Sequence, residues 1–127
     1  MFFMSFPIVC FTLALLTDVA YWRTSFLMWH DFSAWLLLAG AVGCGVALII
    51  GVVGLFFRPR IRSWLYWMGV LVVLALGVAN NLVHAGDGWT AIVPTGIALS
   101  AVTVVALIVT GWIGRSTVAN AGVHRHV

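Results

Sequence analysis

The stretch Arg58-Pro59-Arg60-Ile61-Arg62 lies between two long apolar runs and holds three of the six basic residues in the chain. A short basic loop between hydrophobic segments is typical of the cytoplasmic side of a membrane protein, where Lys and Arg accumulate. The stretch therefore predicts a membrane protein whose second and third spans are joined by a cytoplasmic loop.

The composition favours a bilayer rather than water around the chain. Of the 127 residues, 64% are hydrophobic and 7% are charged, whereas soluble domains carry about 25% charged residues. About 20 apolar residues cross the hydrocarbon core, so the length allows four spans and leaves no room for a soluble catalytic domain of ordinary size. The arginines lie at the ends of apolar runs, so topology explains the net charge of +3, and nucleic acid is not an expected partner.

Four apolar runs define the expected fold, an all-α, antiparallel bundle of four transmembrane helices. The predicted spans are Phe2–Trp22, Phe32–Phe57, Trp64–Val83 and Trp89–Ile113. The apolar segment Ser25–Trp29 either lies in the interface or extends the second helix. The transmembrane domain is then residues 1–114, followed by a short cytoplasmic tail, residues 115–127.

The distribution of charge predicts the orientation. With the 58–62 loop inside, both termini lie inside, and five of the six arginines are cytoplasmic. Only Arg23 falls on the outer side, where the three acidic residues also lie or come close: Asp18, Asp31 and Asp87. The expected topology is therefore multi-pass, with both termini in the cytoplasm.

Small residues recur every four positions along the second span, at Ala39, Gly43, Ala47 and Gly51. Membrane helices associate largely where small residues let their backbones approach closely. We therefore expect this stripe to pack against other helices of the bundle. A glycine face left unused would support a homodimer, so the expected partners are the lipid bilayer and other transmembrane helices.

Ionisable residues within spans are costly and are the first candidates for function. The predicted threading brings Asp18, His30, Asn81 and His84 to one depth on the outer side. Histidines from two helices can supply both axial ligands of a b-type haem, so His30 and His84 are candidate haem ligands, although helix-end histidines are commonly plain interfacial residues. Asp18 supports a third hypothesis, movement of protons or small solutes, but it could also reach the headgroups beside Arg23.

The sequence shows no catalytic pattern. It has no nucleophile elbow, metalloprotease helix or phosphate-binding loop, and Ser33, Ser63 and Ser116 lack an evident base. His124 and His126 form a candidate metal pair, but a solvated tail explains them more simply. We expect neither an enzyme nor a metal site.

Several stretches carry a resemblance to a known family: Phe6-Pro7-Ile8, Asp18, Trp29, Trp35-Leu36-Leu37-Leu38-Ala39-Gly40, and Leu99-Ser100-Ala101 through Thr110-Gly111-Trp112-Ile113-Gly114. Over nearly its whole length the chain resembles a bacterial family of small four-helix membrane proteins of unknown function. The resemblance implies a four-span fold, a bacterial inner membrane and no established activity. Some members look fused to cytochrome c or sugar-dehydrogenase domains, which implies a respiratory setting.

The chain departs from the family pattern where ligands would be expected. Residues Met1–Met4 stand where the family usually has a histidine-proline pair, and Ser116 and Ala121 stand where it tends to have glutamate and histidine. His30 and His84 are not family positions. The resemblance therefore weakens the haem hypothesis.

The leading hypothesis is a small non-enzymatic membrane protein that either acts as an accessory or assembly subunit of a membrane complex or forms a homo-oligomer. The resemblance implies that such a complex is respiratory. The alternative is a b-type haem electron carrier with an outer-side site. Proton or small-solute transport is the third hypothesis.

Overall fold

The computed structural model describes residues 2–57, 64–86 and 92–123, which are helical apart from short turns. The four helices are α1 (Phe2–Thr24), α2 (Leu27–Phe57), α3 (Trp64–Ala85) and α4 (Ile97–Val123). All four are long and apolar enough to cross a membrane. The expected all-α chain with four helices of spanning length is confirmed.

Some of the predicted features lie outside the described residues. They are the basic loop at residues 58–62, Ser63, Asp87, Trp89, and the tail histidines His124 and His126. The segment Ile92–Gly96 precedes α4 and is kinked, because Val93 within it has extended backbone angles of φ −118° and ψ 119°. At its other end α4 continues to Val123, beyond the predicted end of the span at Ile113.

A two-residue turn joins α1 to α2. Ser25 has a φ of 55°, in the left-handed region that commonly ends helices, and its N–H donates to the carbonyl of Tyr21 at 2.7 Å. Since α2 already begins at Leu27, residues 27–29 of the apolar segment extend the second helix, whose predicted start was Phe32.

The helices form a ring in chain order, because each packs against the next and α4 returns to α1. The α1–α4 contact is the least extensive of the four. Buried residues recur at alternating spacings of three and four along every helix, which places one narrow face of each helix in the core. On α1 this row is Met4, Pro7, Phe11, Ala14, Asp18 and Tyr21.

Phe11 fills the centre of the bundle and is 1% exposed. Two glycines make room for its ring. A Cβ placed on Gly40 of α2 would lie 3.1 Å from the ring, and a Cβ on Gly77 of α3 would lie 2.7 Å from it. A larger residue at Gly77 would therefore displace the ring, and one at Gly40 would press against it.

The small-residue stripe of α2 also packs within the bundle. Gly43 lies against Phe6 of α1, and Gly51 lies against the ring of Trp67 of α3. Ala47 is buried at 4% exposure, and Ala39 is half-buried. The stripe thus contacts both helices that flank α2.

Replacing Gly77 with alanine is expected to destabilise the bundle by about 1–3 kcal/mol, the usual cost of overpacking a core, because the new Cβ would press on the buried Phe11 ring. The matched control is Gly45→Ala, where a Cβ meets no atom within 4 Å. There the better helix propensity of alanine should stabilise the protein by up to about 1 kcal/mol. Thermal unfolding of the wild type and both variants in one detergent measures the loss expected for Gly77→Ala and the gain expected for Gly45→Ala. Equal stability of the two variants would contradict the packing described.

Candidate functional site

Five polar side chains from all four helices meet near one end of the bundle, each at most 1% exposed. This Asp18 cluster consists of Asp18 of α1, Ser33 of α2, Asn80 and His84 of α3, and Ser100 of α4. Asp18 lies roughly 9 Å along the helix axis from the end of α1, at 1.5 Å per residue. Because its carboxylate is fully buried, the idea that it reaches the headgroups beside Arg23 is wrong.

The Asp18 carboxylate interacts with all three other helices. Ser33 Oγ donates a hydrogen bond to Oδ1, and Ser100 Oγ donates one to Oδ2. His84 Nε2 lies 2.8 Å from Oδ1. A buried carboxylate needs such partners because desolvation without hydrogen bonds is costly, so this side chain joins α1 directly to α2, α3 and α4.

Two further contacts extend the cluster. Asn80 Nδ2 donates to Ser100 Oγ at 2.7 Å, so Ser100 accepts from α3 while it donates to α1. Ser33 Oγ also lies 3.2 Å from the carbonyl oxygen of Ala14, which keeps a second acceptor within its reach. Hydrogen bonds connected in this way polarise and strengthen one another.

The contacts of His84 fix how many protons the pair with Asp18 holds. Nδ1 lies 3.0 Å from the backbone carbonyl oxygen of Asn80, and a carbonyl only accepts, so Nδ1 carries a hydrogen. Nε2 and Asp18 Oδ1 then share one proton across 2.8 Å, because two lone pairs at that distance would repel. The pair has no net charge whichever atom holds the proton, which suits an apolar interior.

Of the site residues predicted from the sequence, some lie in the cluster, one lies beside it and one lies outside it. Asp18 and His84 are in direct contact. His30 lies next to them, with its ring centroid 6.0 Å from that of His84 and 6.1 Å from that of Tyr21. Asn81 does not join the cluster, and its Nδ2 is buried without a hydrogen-bond partner among the described residues.

Asn80 takes the place expected for Asn81, because it lies four residues before His84 on the same face of α3. Ser33 and Ser100 were not predicted as site residues. They could have been found from the spacing of three and four residues that separates the buried positions of each helix. Ser33 begins the row that continues at Leu37 and Gly40, and Ser100 begins one that continues at Thr103 and Leu107.

The cluster contains the residue types of a hydrolase triad without its arrangement. In a triad the acid and the nucleophile bind opposite nitrogens of the histidine. Here Asp18 and Ser33 both approach Nε2 of His84, at 2.8 Å and 3.5 Å, while Nδ1 faces a backbone carbonyl. The histidine therefore cannot relay a proton from the serine to the acid across its ring.

The geometry does not suit a haem either. An axial histidine needs a nitrogen lone pair directed at the iron, and both nitrogens of His84 already contact oxygen atoms. Nothing in the structure favours the haem alternative. Within residues 2–57, 64–86 and 92–123, no group of three or more His, Cys, Asp or Glu side chains could hold a metal ion.

Comparison with known proteins identifies the family. Residues 2–126 match the family described as "Predicted membrane protein (DUF2231)", so the chain belongs to that family and is a multi-pass membrane protein. The resemblance drawn from the sequence is thereby confirmed. No curated protein and no solved structure matches the chain.

Asp18→Leu and His84→Leu are each expected to destabilise the protein by about 3–5 kcal/mol, because each leaves one member of a buried pair without its partner. The double replacement leaves no unpaired charge, and Ser33 can still donate to the Ala14 carbonyl. We therefore expect the double variant to be more stable than either single variant. Chemical unfolding in mixed micelles measures the free energy of unfolding of all three variants.

The neighbouring pair His30 and Asp31 supplies the matched control. Its atoms lie 3.5 Å apart with side chains 23% and 72% exposed, and exposed pairs contribute little. Leucine replacements there should have small effects that add. If the stability lost in the Asp18→Leu/His84→Leu double variant equals the sum of the losses in the two single variants, the pairing is contradicted.

Proposed function

We propose that this member of the DUF2231 family is a non-enzymatic protein of the bacterial inner membrane that acts as an accessory or assembly subunit of a membrane complex, or that assembles with copies of itself. The observation that carries the proposal is the closure of the Asp18 cluster. Asp18 is 0% exposed, and both of its oxygens accept hydrogen bonds from other helices. A group enclosed and satisfied in this way stabilises the bundle and offers no position for a substrate.

The rest of the interior supports the same proposal. Beyond Asp18 most of the core is apolar, with side chains such as Phe11 and Leu37, each at most 1% exposed. Transporters instead place polar and ionisable groups along a path. The buried hydroxyls on that side are those of Thr103 and Thr110, and Thr103 donates within its own helix. No further carboxylate or histidine of the described residues lies there, so transport is not the function we propose.

With a filled interior, the outer surfaces remain for function. The lipid-facing sides expose large apolar residues along all four helices, as both lipid and partner helices require. The family resemblance implies a respiratory setting, which makes a respiratory complex the first partner to examine.

We also propose the antiparallel threading with both termini in the cytoplasm. Its support within the bundle is the order of contacts between α1 and α2, where Phe6 faces Gly43, Phe11 faces Gly40, and Asp18 bonds to Ser33. Support for the orientation comes from the sequence, in which five of six arginines fall on the same side as the 58–62 loop, as cytoplasmic arginines do.

The accessory role predicts a complex of fixed stoichiometry. The tagged chain, extracted from its native membrane in polymer nanodiscs after mild cross-linking, should appear by native mass spectrometry with further copies or with one partner protein in constant ratio. Thr103→Val is the control, because Thr103 is 0% exposed and its hydroxyl donates within its own helix, so the change leaves the Asp18 cluster and the outer surface as they are. A strictly monomeric wild-type chain without a stoichiometric partner would refute the role.

The orientation predicts opposite labelling at the two ends of the bundle. Thr24→Cys should react with a membrane-impermeant maleimide in intact spheroplasts, and Ser116→Cys should react only after permeabilisation, since both positions are exposed. The native Cys10 and Cys44 give little background because they are 5% and 0% exposed. The reverse labelling pattern would contradict the threading.

A further inference from the structure

A groove of about 790 Å³ runs between α1 and α4, at the end of the bundle away from the Asp18 cluster. It lies where the ring of helices is least closely packed. Its volume falls within the roughly 300–1,000 Å³ of ordinary ligand pockets. Its walls are mainly apolar, and Ile8, Val104 and Ile108 are among the residues that form them.

The groove has a polar end. Arg115 and Trp112 of α4 lie there, with Ser5 near the start of α1. Trp112 is 74% exposed and lies at the end of the predicted fourth span, and tryptophans are enriched at the headgroup level of a bilayer. Of the residues that the structure describes, Arg115 is the only charged one in the groove, and none of the described acidic side chains pairs with it.

The length of the groove matches the thickness of one bilayer leaflet. From Val104 to Arg115 the groove follows α4 for about 17 Å, at a rise of 1.5 Å per residue. Half of a bilayer core of about 30 Å is close to this length. An acyl chain held along the apolar walls would therefore place its headgroup beside the guanidinium.

We propose that this groove binds one acidic phospholipid from the leaflet that holds the start of α1 and the end of α4. The acyl chain lies between the two helices, and the guanidinium of Arg115 binds the headgroup phosphate. Charge complementarity favours this occupant over a second copy of the chain or a partner helix, because a basic site between transmembrane helices suits an anionic headgroup. Such a site goes beyond the accessory role proposed above.

The glycine at position 111 allows a direct test of the groove. A Cβ on Gly111, which lines the groove, meets no atom within 4 Å, and the same is true of Gly45. Gly111→Leu therefore introduces a side chain into the groove from a backbone position whose Cβ meets no neighbour, and Gly45→Leu, outside the groove, is its matched control. For the charge, Arg115→Gln is compared with Arg23→Gln at the opposite end of α1.

The measurement is binding of phosphatidylglycerol and of phosphatidylcholine with identical acyl chains to the purified full chain, by native mass spectrometry. The wild type should bind one phosphatidylglycerol about fivefold more tightly than phosphatidylcholine, the preference expected of one arginine at a membrane surface. Arg115→Gln should lose this preference, and Gly111→Leu should weaken both lipids. Both control variants should match the wild type.

Three outcomes would overturn the proposal. They are an unchanged preference in Arg115→Gln, an equal loss in Arg23→Gln, and a Gly111→Leu variant that alters the oligomeric state while lipid binding stays the same. The last outcome would assign the groove to a protein partner. Circular dichroism checks that Gly111→Leu is folded, and if it is not, the two arginine variants decide the proposal alone.

Discussion

The buried carboxylate of Asp18 is the constraint on which the arrangement of the helices depends. A charge or a shared proton in an apolar interior is tolerated only when the atoms that carry it find hydrogen-bond partners. Here the partners come from α2, α3 and α4 together. A rotation or sliding of any one helix would leave Asp18, or the group that bonds to it, unsatisfied. Apolar contacts alone would allow many more arrangements, because one leucine packs in lipid much as another does.

The two ends of the bundle are therefore held by different means. At the Asp18 end, directional hydrogen bonds select the rotation of each helix about its axis. In the middle, Phe11 fills the space that Gly40 and Gly77 leave open, so shape selects how closely the helices approach. At the far end, α1 and α4 separate enough to leave a groove. The hydrogen bonds between helices are concentrated in one half, and the groove lies in the other.

The sequence was sufficient to predict the number of helices, because an apolar run of about 20 residues has the length of one bilayer crossing. It was less informative about where one helix ends and the next begins, since Leu27 and Phe32 are both apolar. Only the left-handed backbone conformation of Ser25 marks the boundary between α1 and α2. Rotation about the helix axis was harder still. Successive residues in a helix are about 100° apart, so choosing Asn81 over Asn80 moves the side chain away from the cluster. The serines were missed because hydroxyls look unremarkable until the carboxylate they bind is located on the same level.

The position of the polar groups also limits what kind of function the molecule can have. A transporter needs polar groups on both sides of the midplane, and a haem protein needs histidine nitrogens that point toward open space. The Asp18 cluster meets neither requirement, because its groups bond to one another and the core beyond them is mainly apolar, with the Thr103 and Thr110 hydroxyls as its buried polar groups. Chemistry inside the bundle would first have to break the contacts that hold it together. The accessory role and the lipid site that we propose both place the interactions on the exterior, at the lipid-facing helices and at the groove beside Arg115.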